Sequence, residues 1–326
     1  MTDWCGWPVV EEATGWENAQ QILADAELSD GLPLVPPTRR RLEAMVAGLA
    51  DRTQSHGMMP PLFGDLTPET VAYQCVIAGC LPAELPVVLA AAVATLEAEF
   101  NLLGIATTTG TACVALCVHG PVARRLGLNA GTNCLGPGNR ANACIGRALA
   151  LCLRNIGGAR AEVGDMATMG QPGKYTFCFA ERDDGPFPTL AARRGLGPAA
   201  SAVTVLGLSG TAEVLPDDGE GATPEAILAP IAEGMRAAIV MSSVHRKNER
   251  GEQVFLLPLE MAEKIVRHDG WDLARVQRYL FDQGQAVGGI ARAPDAIHPI
   301  LTGGAGVKMT YLPVWGGGSE TVTRAV

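Results

Sequence analysis

The sequence predicts an α/β protein with an α+β N-terminal part and a parallel α/β C-terminal part, and three observations lead to that expectation. Apolar runs of helical length, separated by proline-rich connectors, fill the first third of the chain. A continuous apolar run of strand length follows, Ala112-Cys-Val-Ala-Leu-Cys-Val-His119, and suits a strand buried on both faces. From Ala202 onward short apolar segments alternate with helical ones, the pattern of βα units around a parallel sheet.

The first helix is expected over residues 16–26. It leads into Asp30-Gly-Leu-Pro-Leu-Val-Pro-Pro-Thr38, which Pro33, Pro36 and Pro37 hold extended. Thr38 stands where an N-cap belongs, ahead of a helix over 39–49. In Thr67-Pro-Glu69 the threonine at the cap and the proline at the first helical position announce a helix through Ala78, which Gly79 and Pro82 end. Residues 86–99, rich in Ala and Leu, make the next helix, and 139–155 another, closed by Gly157-Gly158. Lys174-Tyr-Thr-Phe-Cys-Phe-Ala180 alternates like a strand.

Residues 181–200 have the glycine, proline and charge content of an exposed connection, so the domain boundary is placed there. Residues 1–195 then form a helix-rich α+β domain and 196–326 a smaller α/β domain. Strands are expected over 203–208, 254–257 and 299–302, and helices over 224–240, 259–267 and 273–283.

Composition removes several classes of function. Of 326 residues 48% are hydrophobic and 18% charged, and 25 Lys plus Arg against 34 Asp plus Glu give a net charge of −9. That charge repels a phosphate backbone, so no nucleic acid partner is expected. The longest apolar run, residues 85–96, is about half the roughly 20 residues of a spanning helix, so no membrane partner is expected either. The first residues lack the basic and then apolar pattern of a secretion signal, and the expected compartment is the cytoplasm. Nine cysteines are expected there as thiols. None lies in a CxxC, which removes the usual redox pair, zinc ribbon and iron–sulfur spacings. High apolar content with low charge suits an oligomer interface, so a homo-oligomer is expected.

The richest motif is Gly131-Thr-Asn-Cys-Leu-Gly-Pro-Gly-Asn-Arg-Ala-Asn142, a glycine-dense loop opening into a helix. Unpaired N–H groups at a helix start make an anion site, with Gly136, Gly138, Asn139, Arg140 and Asn142 as binding candidates. The loop matches neither the P-loop nor the dinucleotide fingerprint, and no cofactor is assigned. Arg140, Arg147 and Arg154 recur on one helix face, where Arg140 or Arg147 could hold a carboxylate or phosphate. The plainer alternative is a tight turn with a solvated arginine face. Thr302-Gly-Gly-Ala-Gly306 follows a predicted parallel strand, where open α/β sheets bind ligands, and adds Gly303 and Gly304. The alternative is a loop that merely turns.

The expected strand puts Lys174 and Cys178 on one face, and a lysine beside a thiol lowers its pKa. An inert strand cysteine is the alternative. Cys80, in Ala78-Gly-Cys-Leu-Pro-Ala-Glu84, ends a helix and is expected to be more exposed than a mid-helix cysteine. Cys75, Cys113, Cys117, Cys144 and Cys152 lie in apolar runs and read as core. His56, His119, His245, His268 and His298 show no ligand spacing, so no metal is assigned. His119, at a strand end before Gly120-Pro121, is the most site-like of them.

Several segments together resemble a bacterial family of uncharacterised function associated with short UGSC-type selenocysteine or cysteine proteins. They are Asp30-Gly-Leu-Pro-Leu-Val-Pro-Pro-Thr38, Ala78-Gly-Cys80, Leu135-Gly-Pro-Gly-Asn-Arg-Ala-Asn142, Ile145-Gly-Arg-Ala148 and Gly170-Gln-Pro-Gly-Lys-Tyr-Thr-Phe-Cys-Phe-Ala-Glu181. The match covers most of residues 30–195 and thins beyond, and the chain has His119 where Asn is usual and Met261 where His is usual. The resemblance implies that Cys80, Asn142, Arg147, Lys174 and Cys178 belong to motifs, and it suggests a small UGSC-type protein as a partner.

These readings lead to a cytoplasmic enzyme that acts on a small anionic metabolite, of lyase, hydrolase or transferase type. The 136–142 loop and Arg140 or Arg147 would bind the anion, and Cys80 or Cys178 would serve as nucleophile or sulfur-handling group. Lys174 or Glu84 would serve as acid or base. A thiol–disulfide redox protein and a non-catalytic subunit of a complex are the alternatives.

Overall fold

Threonine and proline punctuation builds the N-terminal helices in the computed structural model, which describes residues 3–219, 221–241 and 251–326. His245 lies outside the described residues. Two short ribbons, β1 (Asp3–Trp4) with β2 (Trp7–Pro8) and β3 (Met58–Met59) with β4 (Gly64–Asp65), accompany α1 (Trp16–Asp25) and α2 (Arg39–Val46). Thr38 caps α2 by accepting from the Arg41 N–H. Thr67 and Thr70 cap α3 (Pro68–Ala78) reciprocally, and Gly79 ends it at φ +91°, a left-handed conformation open to glycine. α4 (Leu85–Ala94) and α5 (Leu102–Thr107) follow.

The strands of the two main sheets are β5 (Cys113–His119), β6 (Cys178–Ala180), β7 (Ala202–Leu208), β8 (Ala212–Val214), β9 (Gln253–Leu257), β10 (Ile297–Leu301), β11 (Met309–Leu312) and β12 (Val322–Ala325). Among them lie α6 (Pro121–Arg125), α7 (Arg140–Asn155), α8 (Leu190–Arg193), α9 (Pro224–Met241), α10 (Leu259–Val266) and α11 (Leu273–Gln283). The first sheet has the order β12-β7-β5-β6, with β5 parallel to β6 and antiparallel to β7. The second has the order β10-β9-β11-β8, and only β9 and β10 run parallel. The C-terminal sheet is therefore mixed, not parallel.

The two sheets stack face to face, and the alternation of side chains along each strand shows it. Cys113, Ala115 and Cys117 of β5 meet Val254 and Leu256 of β9 and Ile300 of β10 in a layer between the sheets. Leu116 and Val118 point the other way, into a core built with α3, α4 and α7. Phe255, Leu257 and Ile297 turn outward onto α9, α10 and α11. The result is an α/β fold of four layers, helices over sheet over sheet over helices. Strands in its middle are covered on both sides, which is why 112–119 reads as a continuous apolar run.

Two further expectations change. The segment from Lys174 is not strand throughout: Pro172–Lys174 is a 3-10 turn and only Cys178–Ala180 pairs, because a proline followed by glycine sets a turn first. β7 and β12 both follow residue 195 yet complete the sheet that β5 begins, so a division at 195 cuts through one sheet. Among the described residues no single helix is long and apolar enough to cross a membrane, and the very apolar α4 is spent on the core beneath β7 and β12.

Candidate functional site

The structure brings the two glycine clusters together. The Gly303 N–H donates to Ala130 O at 3.0 Å, and a Cβ on Gly304 would lie 2.1 Å from Thr132 Oγ1. Glycine at 304 is what lets the loops touch. In the first loop a Cβ on Gly136 would meet Asn133 Oδ1 at 2.1 Å, and Gly138 sits at φ +118°. Asn139 caps α7 by accepting from the Asn142 N–H at 2.9 Å. Asn142 is buried, accepts from the Asn129 N–H and donates to Asn129 O and Cys134 O. The Asn139 and Asn142 side chains and the Asn142 N–H of this helix start are thus engaged by the protein itself.

The arginines behind the loop are engaged as well. Arg140 donates to the buried Glu84 carboxylate, at 3.1 Å from Nη1, and to Gly79 O. Arg147 forms a two-bond fork with Asp30, 2.8 Å at each bond. Lys174 pairs with Asp165 on the wall of a separate cavity, away from Cys178.

Cys80 sits among Cys75, Cys144, Cys152 and Cys178, with Glu84 nearby. It is 8% exposed rather than open at a helix end, because α7 covers that end: the Cys144 thiol comes within 3.4 Å of where a Gly79 Cβ would stand. Burial pushes the thiols of Cys75, Cys152 and Cys178 up, and the Cys80 and Glu84 charges push Cys178 further. These neighbours are thiols near neutral pH, not the thiolates a nucleophile needs.

A different constellation lies at one end of the layer between the sheets. β5 ends on His119, β6 leads into Glu181, and Thr204 of β7 and Thr323 of β12 complete a chain of contacts. With the His119 proton on Nδ1, donors and acceptors fall in order. Arg194 donates to Thr323 Oγ1 at 3.0 Å and Thr323 to Thr204 at 2.7 Å; Thr204 donates to His119 Nε2 at 2.7 Å and Nδ1 to Glu181 at 2.7 Å. Glu181 also accepts from the Leu190 N–H at 2.9 Å, and Arg193 stands 3.9 Å from it.

Cys117 Sγ, His119 Nδ1 and the Glu181 carboxylate lie within 4.8 Å of one another, a donor set of the kind that holds a metal. The 2.7 Å between His119 and Glu181 is a hydrogen-bond length. Two tetrahedral zinc ligands stand roughly 3.3 Å apart, so the contact is read as the hydrogen bond.

Beside this network Arg193, Arg194, Arg292, Glu252 and His298 line a cavity of about 630 Å³. Glu252 accepts from the Thr321 N–H at 2.7 Å and from Arg194 and Arg292 at 3.3 Å each. Burial pushes its carboxyl up, but His298 and Thr321 outweigh that and hold it at about 2. His298 Nε2 lies 3.2 Å from Glu252 Oε1, off the angle of a hydrogen bond. Burial holds the His298 imidazole below its ordinary value, against the pull of Glu252, and Arg194 and Arg193 add to the effect. The ring is neutral at neutral pH.

Arg193 is 13% exposed in its side chain and donates through Nη2 to Pro299 O at 2.7 Å. Its Nε and Nη1, and both ring nitrogens of His298, are buried without a hydrogen-bond partner among the described residues. Buried polar groups are rarely left so, and here two of them line one cavity.

Of the sequence candidates only His119 belongs to this constellation. Arg193 and Arg194 fall in the stretch expected to be an exposed connection, and Glu252 in the polar lead-in to β9. The signal available was His298 inside Ile297-His-Pro-Ile-Leu301, a polar residue in an apolar strand. Comparison of the chain with models of known protein families, and with curated proteins, gives no match.

Proposed function

We propose that this chain is an enzyme acting on a small anionic organic molecule, which binds in the cavity of Arg193, Arg194 and Arg292 with His298 as general base. The observation that carries the reading is a set of buried nitrogens without a hydrogen bond, Arg193 Nε and Nη1 and the two of the His298 ring, on side chains that line one cavity. A guanidinium with its Nε and Nη1 unmet costs free energy that an anionic oxygen, accepting from either of them, returns. The about 630 Å³ of space is in the range of small-molecule sites.

His298, kept neutral by burial, is in the protonation state a base requires. With its proton on Nε2 toward Glu252, Nδ1 carries the lone pair. Arginines that neutralise a substrate carboxylate make the C–H beside it more acidic, so the reaction class is proton abstraction at carbon next to a carboxylate. Of the expected types this favours a lyase. The acid–base work expected of Lys174 or Glu84 then falls to His298, and His119 supports Arg194 through Thr204 and Thr323. We retain the cytoplasm as its compartment, where its thiols stay reduced, and the resemblance to the UGSC-associated family.

Incubation in D2O with a panel of small mono-, di- and tricarboxylates, followed by NMR, tests the reading. Deuterium is expected to enter one of them at the carbon beside the carboxylate. His298→Gln should slow that exchange about a hundredfold or more, and Arg193→Gln should raise the half-saturating concentration about tenfold or more. Exchange that survives in His298→Gln, or a panel that neither binds nor exchanges, would overturn it.

A further inference from the structure

A second cavity, of about 610 Å³, lies on the helical side of the first sheet. Its character is opposite to the first. Leu102 and Ile105 of α5, Val114 of β5, and Ala150 and Leu153 of α7 give it apolar walls. Tyr175 and the strongly exposed Met169 stand in its lining, where a ligand would take their apolar surface from water.

Four charged residues line this cavity, and their pairing is uneven. Asp30 is met by the Arg147 fork, and Asp165 by Lys174. Arg154 is left over: its Nη1 is buried and has no hydrogen-bond partner among the described residues. Arg160, paired with Glu27, adds to the positive charge around Arg154, and Asp30 and Glu27 offset part of it. Arg147, Arg154, Arg160 and Lys174 thus face Asp30, Glu27 and Asp165, an excess of one positive charge beside an apolar chamber, the complement of an apolar body carrying one negative charge.

We infer that this cavity is a binding site for an organic monoanion with a ring or short chain, its carboxylate meeting Arg154 and its apolar body lying against α5 and α7. The site is separate from the arginine and histidine cavity and takes a different ligand. The polar cavity, with three arginines and a histidine, suits a small and more highly charged molecule, whereas this one has an excess of one cation and largely apolar walls.

Calorimetric titration of the full-length protein with 1-naphthoate, and with its uncharged analogue 1-naphthylmethanol, decides the matter. Saturable binding of one naphthoate per chain is expected, about tenfold or more tighter than the alcohol. Arg154→Gln should erase that preference while the alcohol still binds. Ala150→Phe, which keeps every charge and fills the chamber, should abolish binding of both. Arg193→Gln, in the other cavity, should leave naphthoate binding unchanged, so failure here is separable from failure of the proposed enzyme reading. Equal affinity for acid and alcohol in the unaltered protein, or naphthoate binding untouched by Ala150→Phe, would overturn the assignment even if Arg154→Gln did not fold.

Discussion

Glu252 is held at about 2 because His298 and Thr321 outweigh the burial that raises it, whereas in the unfolded chain it titrates near 4.5. The folded state therefore binds fewer protons between these values, and the stabilisation is complete above about pH 4.5 and lost as pH falls toward 2. At about 1.4 kcal/mol per unit, that is about 3 kcal/mol. His298 acts earlier in an acid titration. Its folded pKa lies below 6.5, so below that pH the unfolded chain takes up a proton that the folded ring declines, and stability already begins to fall. Urea midpoints measured from pH 8 to pH 3 should decline in two stages, the first removed and the second made smaller by His298→Gln, since His298 also helps to hold Glu252 low. A single decline near pH 4, unchanged in that variant, would mean that the ring is not held neutral.

Helices were readable at capped starts and less so at their far ends, since those expected over 39–49 and 86–99 stop at Val46 and Ala94. Thr38 and Thr67 each cap the helix that the sequence assigns to them, because a cap is a contact within three residues, and Asn139, expected as the first helical residue, is the cap of α7. Loop contacts were half readable. The glycines at 136 and 304 marked close approach, but what came close differed: Asn133 of its own loop at 136, and at 304 Thr132, over a hundred positions away. The structure ranks the two. A Cβ at 136 would meet only the Asn133 side chain, which can rotate, whereas at 304 it would also stand 2.7 Å from Thr132 Cα. Gly304→Ala should cost about 1–3 kcal/mol and Gly136→Ala less, read as shifts in thermal midpoint. Equal small shifts would mean that the loops separate at little cost.

At the scale of the whole molecule, charge misleads a reading made along the chain. Residues 181–195 carry enough charge to suggest an exposed linker, yet Glu181 is met by His119 and Arg194 by Glu252 and Thr323, partners 58 to 129 positions distant. Sheet direction was hidden for the same reason, since β7 and β12 reach β5 from the far side of the expected boundary. The physical consequence is that neither half is complete. A fragment of residues 1–195 keeps β5 and β6 but loses β7, the partner along the whole length of β5, and uncovers the layer of Cys113, Ala115 and Cys117. It should show no cooperative unfolding transition, while the full chain unfolds with the two sheets coupled through their shared layer. A fragment that melted cooperatively would show that helices α3, α4 and α7 suffice to hold β5. The proposed site would be lost with the division in either case, because Arg193 and Arg194 come from one side of residue 195 and Glu252, Arg292 and His298 from the other. The cavity exists only where the two sheets face each other, so binding there and integrity of the four-layer fold are expected to fall together.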